Sequence, residues 1–333
     1  MREQSLEFLR ALVATPAPSG YESALGNLYR DYLKFYSDDV VTDTLGNVTA
    51  IVNPHASMKI MLAGHMDEIG FMVHYVNDDG FLYFRSVGGN DSAIAAGQKV
   101  WVHGRSRIAG VVGTKAIHLQ TADEQKQKPL MKDLWIDIGA RSRREAEEIV
   151  SLGDVVTVQA ELQLLLGDRA TARAFDNKAG VLIIAETLRL LAEEPGLSPD
   201  VGVYAVATVQ EEIGSRGATT AAFAIKPQTA LAVDMGQALD VPNLAKSECG
   251  EFYVGRGPGI SRGANIHHQV FELLKDAATT IDIPYQVNAT PSLSPTDAKA
   301  LQISRDGIAT GLVEVPLRYM HTPCETLGSG PIK

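Results

Sequence analysis

Side chains that can bind a metal ion or move a proton follow the apolar runs of this sequence. The runs IMLAG, VYAVATVQ and TALAV are each followed at once by such residues, GIATGLVEV leads to another through PLRYM, and one more opens a long helical pattern. In that order the residues are His65 and Asp67, Glu211 and Glu212, Asp234, His321, and Asp176. Because ligand sites of open α/β sheets lie at the carboxyl ends of strands, we expect these side chains to converge on one crevice.

Each of these residues also has an ordinary structural interpretation. A single His after a strand is usually a surface or core histidine, and Asp176 alone is most simply a helix N-cap. Glu211 and Glu212 alone form a solvated turn, and Asp234 alone opens a loop. Their conjunction favours a metal site, because burial penalises charges at the ends of such apolar strands unless they are paired or bind a metal.

The set of candidate ligands suits two divalent metal ions. The residues that supply three carboxylates and two imidazoles are His65, Asp176, Glu212, Asp234 and His321. Such a set, without Cys, suits zinc and tolerates cobalt or manganese. Asp67 lies two residues after His65 on extended chain, so it faces the same way and is expected to orient the imidazole. Glu211 then remains as a carboxylate without a required metal bond and is a candidate general base.

The elements that must position these residues follow an α/β pattern with one interruption. From Phe71 to Leu166 the chain is a series of short strands separated by turn residues, with one short helix that Ser142 caps. Before and after this stretch, helical patterns alternate with apolar strands. We therefore predict a mixed sheet flanked by helices, built from residues 1–68 and 167–333. A small all-β domain is inserted at residues 69–166, and it serves in oligomerisation or as a lid.

Composition excludes several other classes of protein. The 333 residues are 45% hydrophobic and 21% charged, which is typical of a globular protein and not of a disordered or fibrous one. The formal net charge of −10 repels phosphate backbones, so no nucleic-acid partner is expected. Apolar runs end at about ten residues, too short to span a bilayer. Two Cys residues give no disulfide framework, and the expected compartment is the cytoplasm.

The sequence resembles the glutamyl aminopeptidase and tetrahedral aminopeptidase family of co-catalytic di-metal peptidases, some members of which are labelled cellulases. The matching segments are AGHMDEIGFMV, RAFDNKAG, TVQEEIGSRGA, AVDMG, PTDAKALQ and PLRYMHTPCE, and they follow the family's order and spacing. The resemblance implies a di-zinc exopeptidase-like fold with an inserted β-domain. It also implies a homo-oligomer, from dimers up to twelve-subunit shells.

The resemblance further implies a role for each matching residue. His65 and Asp234 bind one metal ion, Glu212 and His321 bind the other, and Asp176 bridges the two. Glu211 is the general base and later the acid, and Asp67 supports His65. In such enzymes the peptide bond after Asp176 is often cis.

We therefore predict a metallo-aminopeptidase that hydrolyses N-terminal residues from peptides, using water activated by two metal ions. A related amidohydrolase or deacylase, a glycoside hydrolase and a non-catalytic binding module are the alternatives. The sequence leaves open the preferred N-terminal residue, because the segment PSLSPTDAKA departs from the family with Pro295 and Lys299. Lys299 is expected to be a solvated lysine at a helix start, but if it reaches the pocket it favours acidic N-terminal residues.

Overall fold

Helices form where apolar residues recur at three- to four-residue spacing, as Leu9, Leu12 and Val13 do in the first helix. A computed structural model describes residues 2–194 and 196–328 of the chain. In this range the helices are α1 (Glu3–Ala14), α2 (Ser23–Leu33), α3 (Ser92–Ala95), α4 (Arg143–Glu147), α5 (Phe175–Glu193), α6 (Arg216–Ile225), α7 (Lys246–Cys249), α8 (His268–Thr280) and α9 (Ala298–Gln302). As predicted, Ser142 caps α4 by accepting a hydrogen bond from the Glu145 amide.

Strands form at the apolar and alternating runs between the helices. In chain order they are β1 (Asp39–Thr42), β2 (Val48–Val52), β3 (Met58–His65), β4 (Gly70–Val76), β5 (Leu82–Val87), β6 (Lys99–His103), β7 (Arg107–Gly113), β8 (Trp135–Asp137), β9 (Val155–Val158), β10 (Gln163–Leu164), β11 (Arg169–Ala172), β12 (Val201–Thr208), β13 (Thr229–Gln237), β14 (Gly259–Gly263), β15 (Gln286–Thr290), β16 (Ala309–Leu317) and β17 (Glu325–Gly328). They assemble into one large sheet, a closed barrel and a small sheet.

The large sheet carries the α/β architecture. Its eight strands lie in the order β1-β2-β12-β3-β13-β16-β14-β15. The central strands β12, β3, β13 and β16 are parallel, whereas β2 and β14 join them in antiparallel fashion. This is the predicted mixed sheet, and its parallel centre directs four strand ends to the same edge.

Helices cover both faces of this sheet. On one face α1, α2 and α5 enclose a core that includes Leu12, Leu25 and Leu188. On the other face α6, α8 and α9 contribute Ala221, Phe271 and Leu301 in turn to a second apolar cluster. Because both faces are covered, the central strands are apolar along nearly their whole length. The predicted α/β class with helices flanking a mixed sheet is confirmed.

The barrel lies between β3 and β11 in the sequence. Strands β4, β5, β8, β7, β6 and β9 close it in that order, around a core of its own that includes Phe71, Phe84 and Ile136. The run LQLLLG, which the sequence pattern assigned to the inserted β-domain, does not join the barrel. Its strand β10 pairs with β11, which in turn pairs with β17. Across residues 2–194 and 196–328, the structure has no helix with the length and apolar character needed to cross a membrane.

Candidate metal centre

The parallel strands bring the predicted site residues to one edge of the large sheet. His65 is the last residue of β3, Glu211 and Glu212 follow β12, and His321 lies beyond β16. Asp234 is placed differently from the prediction, because it lies inside β13 and does not follow it. Asp176 lies in the irregular first turn of α5, where its ψ of 107° is not helical. It therefore does not act as a regular helix N-cap.

Two groups of possible metal ligands share the Asp176 carboxylate. In the first group, His65 Nε2 lies 3.3 Å from Asp176 Oδ1 and 3.6 Å from Asp234 Oδ1. In the second, His321 Nε2 lies 3.5 Å from both Asp176 Oδ2 and Glu212 Oε2. Each oxygen of Asp176 thus faces a different histidine, as a bridging carboxylate does.

The spacing and chemistry of these groups fit divalent metal ions. Ligands at about 2.0–2.1 Å from a tetrahedral zinc ion lie roughly 3.3 Å from one another, close to the distances in both groups. Each group holds three donor atoms within 4.8 Å of one another. Asp176 Oδ1 is buried and, within the described residues, has no hydrogen-bond partner, although burying such an atom unpaired is costly. Bound cations would remove this cost.

The electrostatics of the centre favour positive charge. For His65, burial lowers the pKa, but Asp234, Asp176 and Asp67 outweigh it and raise the pKa well above its ordinary value. Hydrogen bonding to Asp176 raises the pKa of His321 to about 9. Burial, with the neighbouring Asp176 charge, raises the pKa of Glu212 to about 8. In the absence of metal the centre therefore holds protons at the positions where cations fit.

Asp67 contacts the His65 imidazole and also orders the backbone of the centre. Its Oδ1 accepts the Glu211 amide at 2.9 Å, and its Oδ2 accepts the Glu212 amide at 3.1 Å and the Ser19 hydroxyl at 2.6 Å. His65 Nδ1 lies 3.1 Å from the Asp67 carbonyl oxygen and 3.4 Å from its carboxylate. The residue therefore contacts the imidazole through its backbone and aligns the turn that carries Glu211 and Glu212.

Glu211 lies beside the two groups and belongs to neither. Its Oε1 accepts the Ser215 hydroxyl at 2.9 Å, and the Lys299 ammonium lies 3.6 Å from the same oxygen. The expectation of a solvated Lys299 is wrong, because only 33% of this side chain is exposed and it lines the cavity beside the centre. The start of α9 directs the lysine inward, and helical periodicity alone gives no signal of this.

Comparison with known proteins identifies the family. The M42 glutamyl aminopeptidase family model matches residues 46–331. The chain belongs to this family. It is therefore an aminopeptidase, a hydrolase that acts on peptide bonds, as the resemblance implied, and the M42 assignment implies divalent metal ions at the clustered histidines and carboxylates.

Relatives of this M42 chain are similar over almost their whole length. A putative aminopeptidase of Acetivibrio thermocellus is 36% identical, over 99% of this chain and 96% of the relative. A lysyl aminopeptidase of Pyrococcus furiosus is 35% identical, over 96% of this chain and 91% of the relative. The M42 assignment therefore covers both the large sheet and the barrel.

Solved structures share the fold. A TET aminopeptidase of a marine-sediment thaumarchaeote is 32% identical with a TM-score of 0.93, over 98% of this chain and 92% of that one. The TET1 peptidase of Pyrococcus horikoshii, described as assembling into a tetrahedron or a large octahedral shell, is 29% identical with a TM-score of 0.85, over 97% and 94% of the two chains. A Thermotoga maritima structure described as an endoglucanase is 29% identical with a TM-score of 0.76, over 96% and 91%.

The M42 centre also depends on buried acids that the sequence pattern did not single out. Glu325 accepts the amides of Asp176 at 3.0 Å and His321 at 2.9 Å, so it holds two candidate ligands. Asp297 is buried and accepts the Thr208 hydroxyl, and burial with the Glu211 charge raises its pKa to about 7. Both lie in the matching segments HTPCE and PTDA, which were the available signal.

Two further features complete the description of the centre. The peptide bond between Asp176 and Asn177 is cis, as the resemblance implied. A cavity of about 640 Å³ opens beside the centre. It is lined by candidate ligands, by Glu211 and by Pro295 and Lys299, which belong to the segment PSLSPTDAKA that differs from the family. A peptide end that enters this cavity meets the candidate metal ligands and Glu211 together.

Proposed function

We propose that this chain hydrolyses the first peptide bond of its substrates with two divalent metal ions and Glu211. His65, Asp176 and Asp234 would hold one ion, and Asp176, Glu212 and His321 the other. The shared Asp176 carboxylate, with one oxygen facing each histidine, is the observation that carries this proposal. Bound divalent ions supply a lowered pKa for the attacking water and positive charge for the developing oxyanion.

Glu211 would act as the general base and then as the acid. It lies next to the candidate ligands without joining them, and Ser215 and Lys299 hold one of its oxygens. It would accept the proton of the attacking water and return it to the leaving amine. Asp67 contributes by fixing the Glu211 and Glu212 amides, and so the direction in which both side chains leave the backbone.

The acidic walls of the cavity support a requirement for a free α-amine. Asp176, Asp234, Glu211 and Glu212 all line it, so an amine at the end of a peptide is a favourable partner. An acetyl cap removes both the charge and the lone pair of that amine. Since a hydrogen bond to a charged group contributes about 1.5–3 kcal/mol, and the cap also adds bulk at the end of the cavity, cleavage should slow at least about a hundredfold.

A matched pair of peptides tests this proposal. One peptide carries a free N-terminus and the other is acetylated, and both are assayed with zinc, cobalt or manganese added in turn. The same peptide with an amidated C-terminus is the control, and its rate should not change. Equal rates for the free and acetylated peptides would refute the aminopeptidase mechanism and favour a deacylase or general amidase.

The identity of the metal is the finer part of the proposal. Imidazole and carboxylate donors without sulfur suit zinc, and they also accept cobalt and manganese. We expect two equivalents of metal per chain and restoration of activity by zinc. Elemental analysis of the purified protein, followed by chelation and stepwise return of each metal, measures both. Fewer than two equivalents at full activity would contradict the two-ion arrangement.

A glycoside hydrolase is the second candidate, because one similar structure is described as an endoglucanase. That chemistry uses a pair of carboxylates flanking the sugar and needs no metal in most families. Here the histidines lie within 3.6 Å of the same carboxylates, which favours metal binding over that use. Chelation separates the two activities, since it should abolish peptide hydrolysis and leave a metal-free glycosidase active.

We also propose that residues 69–166 form the inserted domain and that the chain self-associates through it, with residues 1–68 and 167–333 as the catalytic body. Exposed apolar side chains within this insert, including Ile117, Leu119 and Leu130, support the contact. The shells described for Pyrococcus horikoshii TET1 give the precedent. Light scattering should detect at least a dimer at micromolar concentration. Ile117→Ser with Leu119→Ser should weaken it, whereas Leu273→Ser on α8 should not, and a monomer at all concentrations would refute the assembly.

A further inference from the structure

A row of polar side chains extends from the metal centre across the large sheet. Asp234 of β13 pairs in register with Glu314 of β16, and these strands are parallel. Paired residues of parallel strands point to the same face, and neighbouring strands lie about 4.8 Å apart. Ser261 of β14 and Asn288 of β15 continue the row, which we call the polar row. Glu314 therefore lies one strand beyond a candidate ligand, on the same face.

The Glu314 carboxylate is buried and only half satisfied. Glu314 is only 7% exposed. Its Oε2 accepts hydrogen bonds from the Ser261 hydroxyl and, at 2.8 Å, from the Asn288 side-chain amide. In the part of the chain that the structure describes, Oε1 has no hydrogen-bond partner and no Lys, Arg or His nitrogen lies within 4.0 Å of the carboxylate. Burying a carboxylate without a cation is costly, so a cation that reached Glu314 would be bound favourably.

The free oxygen is open to the cavity beside the metal centre. Glu314 lines that cavity, as do Asp234 and Gly236. A β-carbon at Gly236 would lie 3.2 Å from Glu314 Oε1, so the glycine keeps this oxygen uncovered. A peptide whose first carbonyl and amine lie at the metal centre would direct its first side chain along the polar row toward Glu314.

We propose that Glu314 selects peptides with a basic N-terminal residue by pairing with its ammonium or guanidinium group. The inference rests on the proposed two-metal mechanism at this site and names its substrate class. A long basic side chain reaches across one strand spacing and supplies the cation that the buried carboxylate lacks. Lysine and arginine therefore fit better than leucine, which would leave Glu314 buried and unpaired.

Lys299 is the rival determinant in the same cavity. An acidic N-terminal residue would pair with it, but its ammonium already lies 3.6 Å from Glu211. An acidic substrate would have to compete with that carboxylate and draw the lysine away from it. Glu314 has no cationic competitor among the described residues. The two residues thus predict opposite preferences, and the occupied state of Lys299 favours the basic one.

A matched substrate pair tests this inference in the wild-type enzyme. Anilides of lysine and norleucine have side chains of similar length and differ in the terminal charge, and a glutamate anilide reports on Lys299. With metal added, kcat/KM for lysine should exceed that for norleucine by about 10- to 100-fold, the range for a charge-assisted hydrogen bond. A norleucine or glutamate preference would overturn the assignment of Glu314. Hydrolysis of no anilide at all in the presence of added metal would instead refute the proposed two-metal mechanism, and the inference with it.

The variant Glu314→Gln locates the preference. Its amide oxygen still accepts from Ser261 and Asn288, so the wall keeps its shape and loses its charge. The lysine-to-norleucine ratio should fall by about 10- to 100-fold, mainly through KM for lysine, while norleucine hydrolysis is retained. Glu161→Gln removes an exposed charge elsewhere and is the control, for which the ratio should not move. An unchanged ratio in Glu314→Gln would overturn the inference, and the wild-type comparison stands even if that variant fails to fold.

Discussion

Replacing Glu68 with glutamine should destabilise the protein by about 3–5 kcal/mol, the usual cost of breaking a buried ion pair. The Glu68 side chain is 3% exposed and lies between two buried cations. Its Oε1 accepts from the Lys178 ammonium at 2.9 Å and the Ala17 amide at 2.8 Å, and its Oε2 pairs with Arg173. Glutamine removes the charge that both cations need, whereas the side chain hardly changes in size.

The same change should weaken the metal centre. Arg173 and Lys178 flank Asp176 in the chain, and they also hold the carbonyl groups of Val13 and Thr15. Glu68 thus ties the end of α1 to the turn that presents the shared carboxylate. Burial raises its pKa, but Arg173 and Lys178 outweigh it and lower the pKa to about 2. This stabilisation is therefore complete above the ordinary value near 4.5 and is lost as the pH falls toward 2.

Thermal unfolding of metal-free protein at neutral pH measures the effect. For a chain of this length, 3–5 kcal/mol corresponds to a fall in Tm of about 4–7 °C. Glu124→Gln, which breaks the exposed pair with Lys115, is the control and should leave Tm unchanged. Adding Lys178→Met to Glu68→Gln should recover part of the loss, because one unpaired cation disappears. If Glu68→Gln melted at the wild-type temperature, the argument from buried charge would be refuted.

Three further predictions concern the metal centre. Asp176→Ala should lose both ions together, because each group uses one of its oxygens, and elemental analysis that found one ion fully retained would contradict the shared role. Glu211→Gln should keep its metal content and lose roughly 10²–10⁴ in kcat, the range for a general base, so a parallel loss of metal would make Glu211 a ligand instead. Metal affinity should rise with pH up to about 9, because the pKa of His321 is raised to about 9 and a protonated imidazole must release its proton to bind. Titration calorimetry across that range measures this, and an affinity independent of pH would contradict it.

The positions of the candidate ligands were accessible from the sequence because the chemistry is local to strand ends. Where an apolar run is followed by His65, or by Glu211 and Glu212, the sequence indicates both the end of the strand and the groups that lie at that end. Parallel neighbours then bring those groups to one edge, a consequence of α/β topology that needs no coordinates. Two ligands depart from the pattern: β13 continues beyond Asp234 to pair with β16, and Asp176 lies in the first turn of α5.

The supporting residues were not accessible, because their roles depend on partners far away in the chain. Glu68 and Arg173 are 105 residues apart, and nothing in either segment indicates the other. Glu314 reads as one polar position in an apolar strand, and its environment arises only when β14 and β15 are added beside β16. The prediction of a solvated Lys299 failed because packing sets the direction of a short helix, and the sequence does not show that packing. Pairing of β10 with β11 was missed for the same reason.

The register of the large sheet separates catalysis from selectivity. Asp234 and Glu314 are joined through backbone ladders, so the distance between the metal centre and Glu314 is set by strand spacing and not by side-chain packing. A different residue at position 314 would change the charge offered to the first side chain without moving a candidate ligand. Lys299 offers no such independence, because its ammonium lies 3.6 Å from Glu211 and any change there also alters the surroundings of the proposed general base. Substitutions at position 314 in β16 should therefore change the preferred N-terminal residue with less effect on catalysis than substitutions at position 299 in α9.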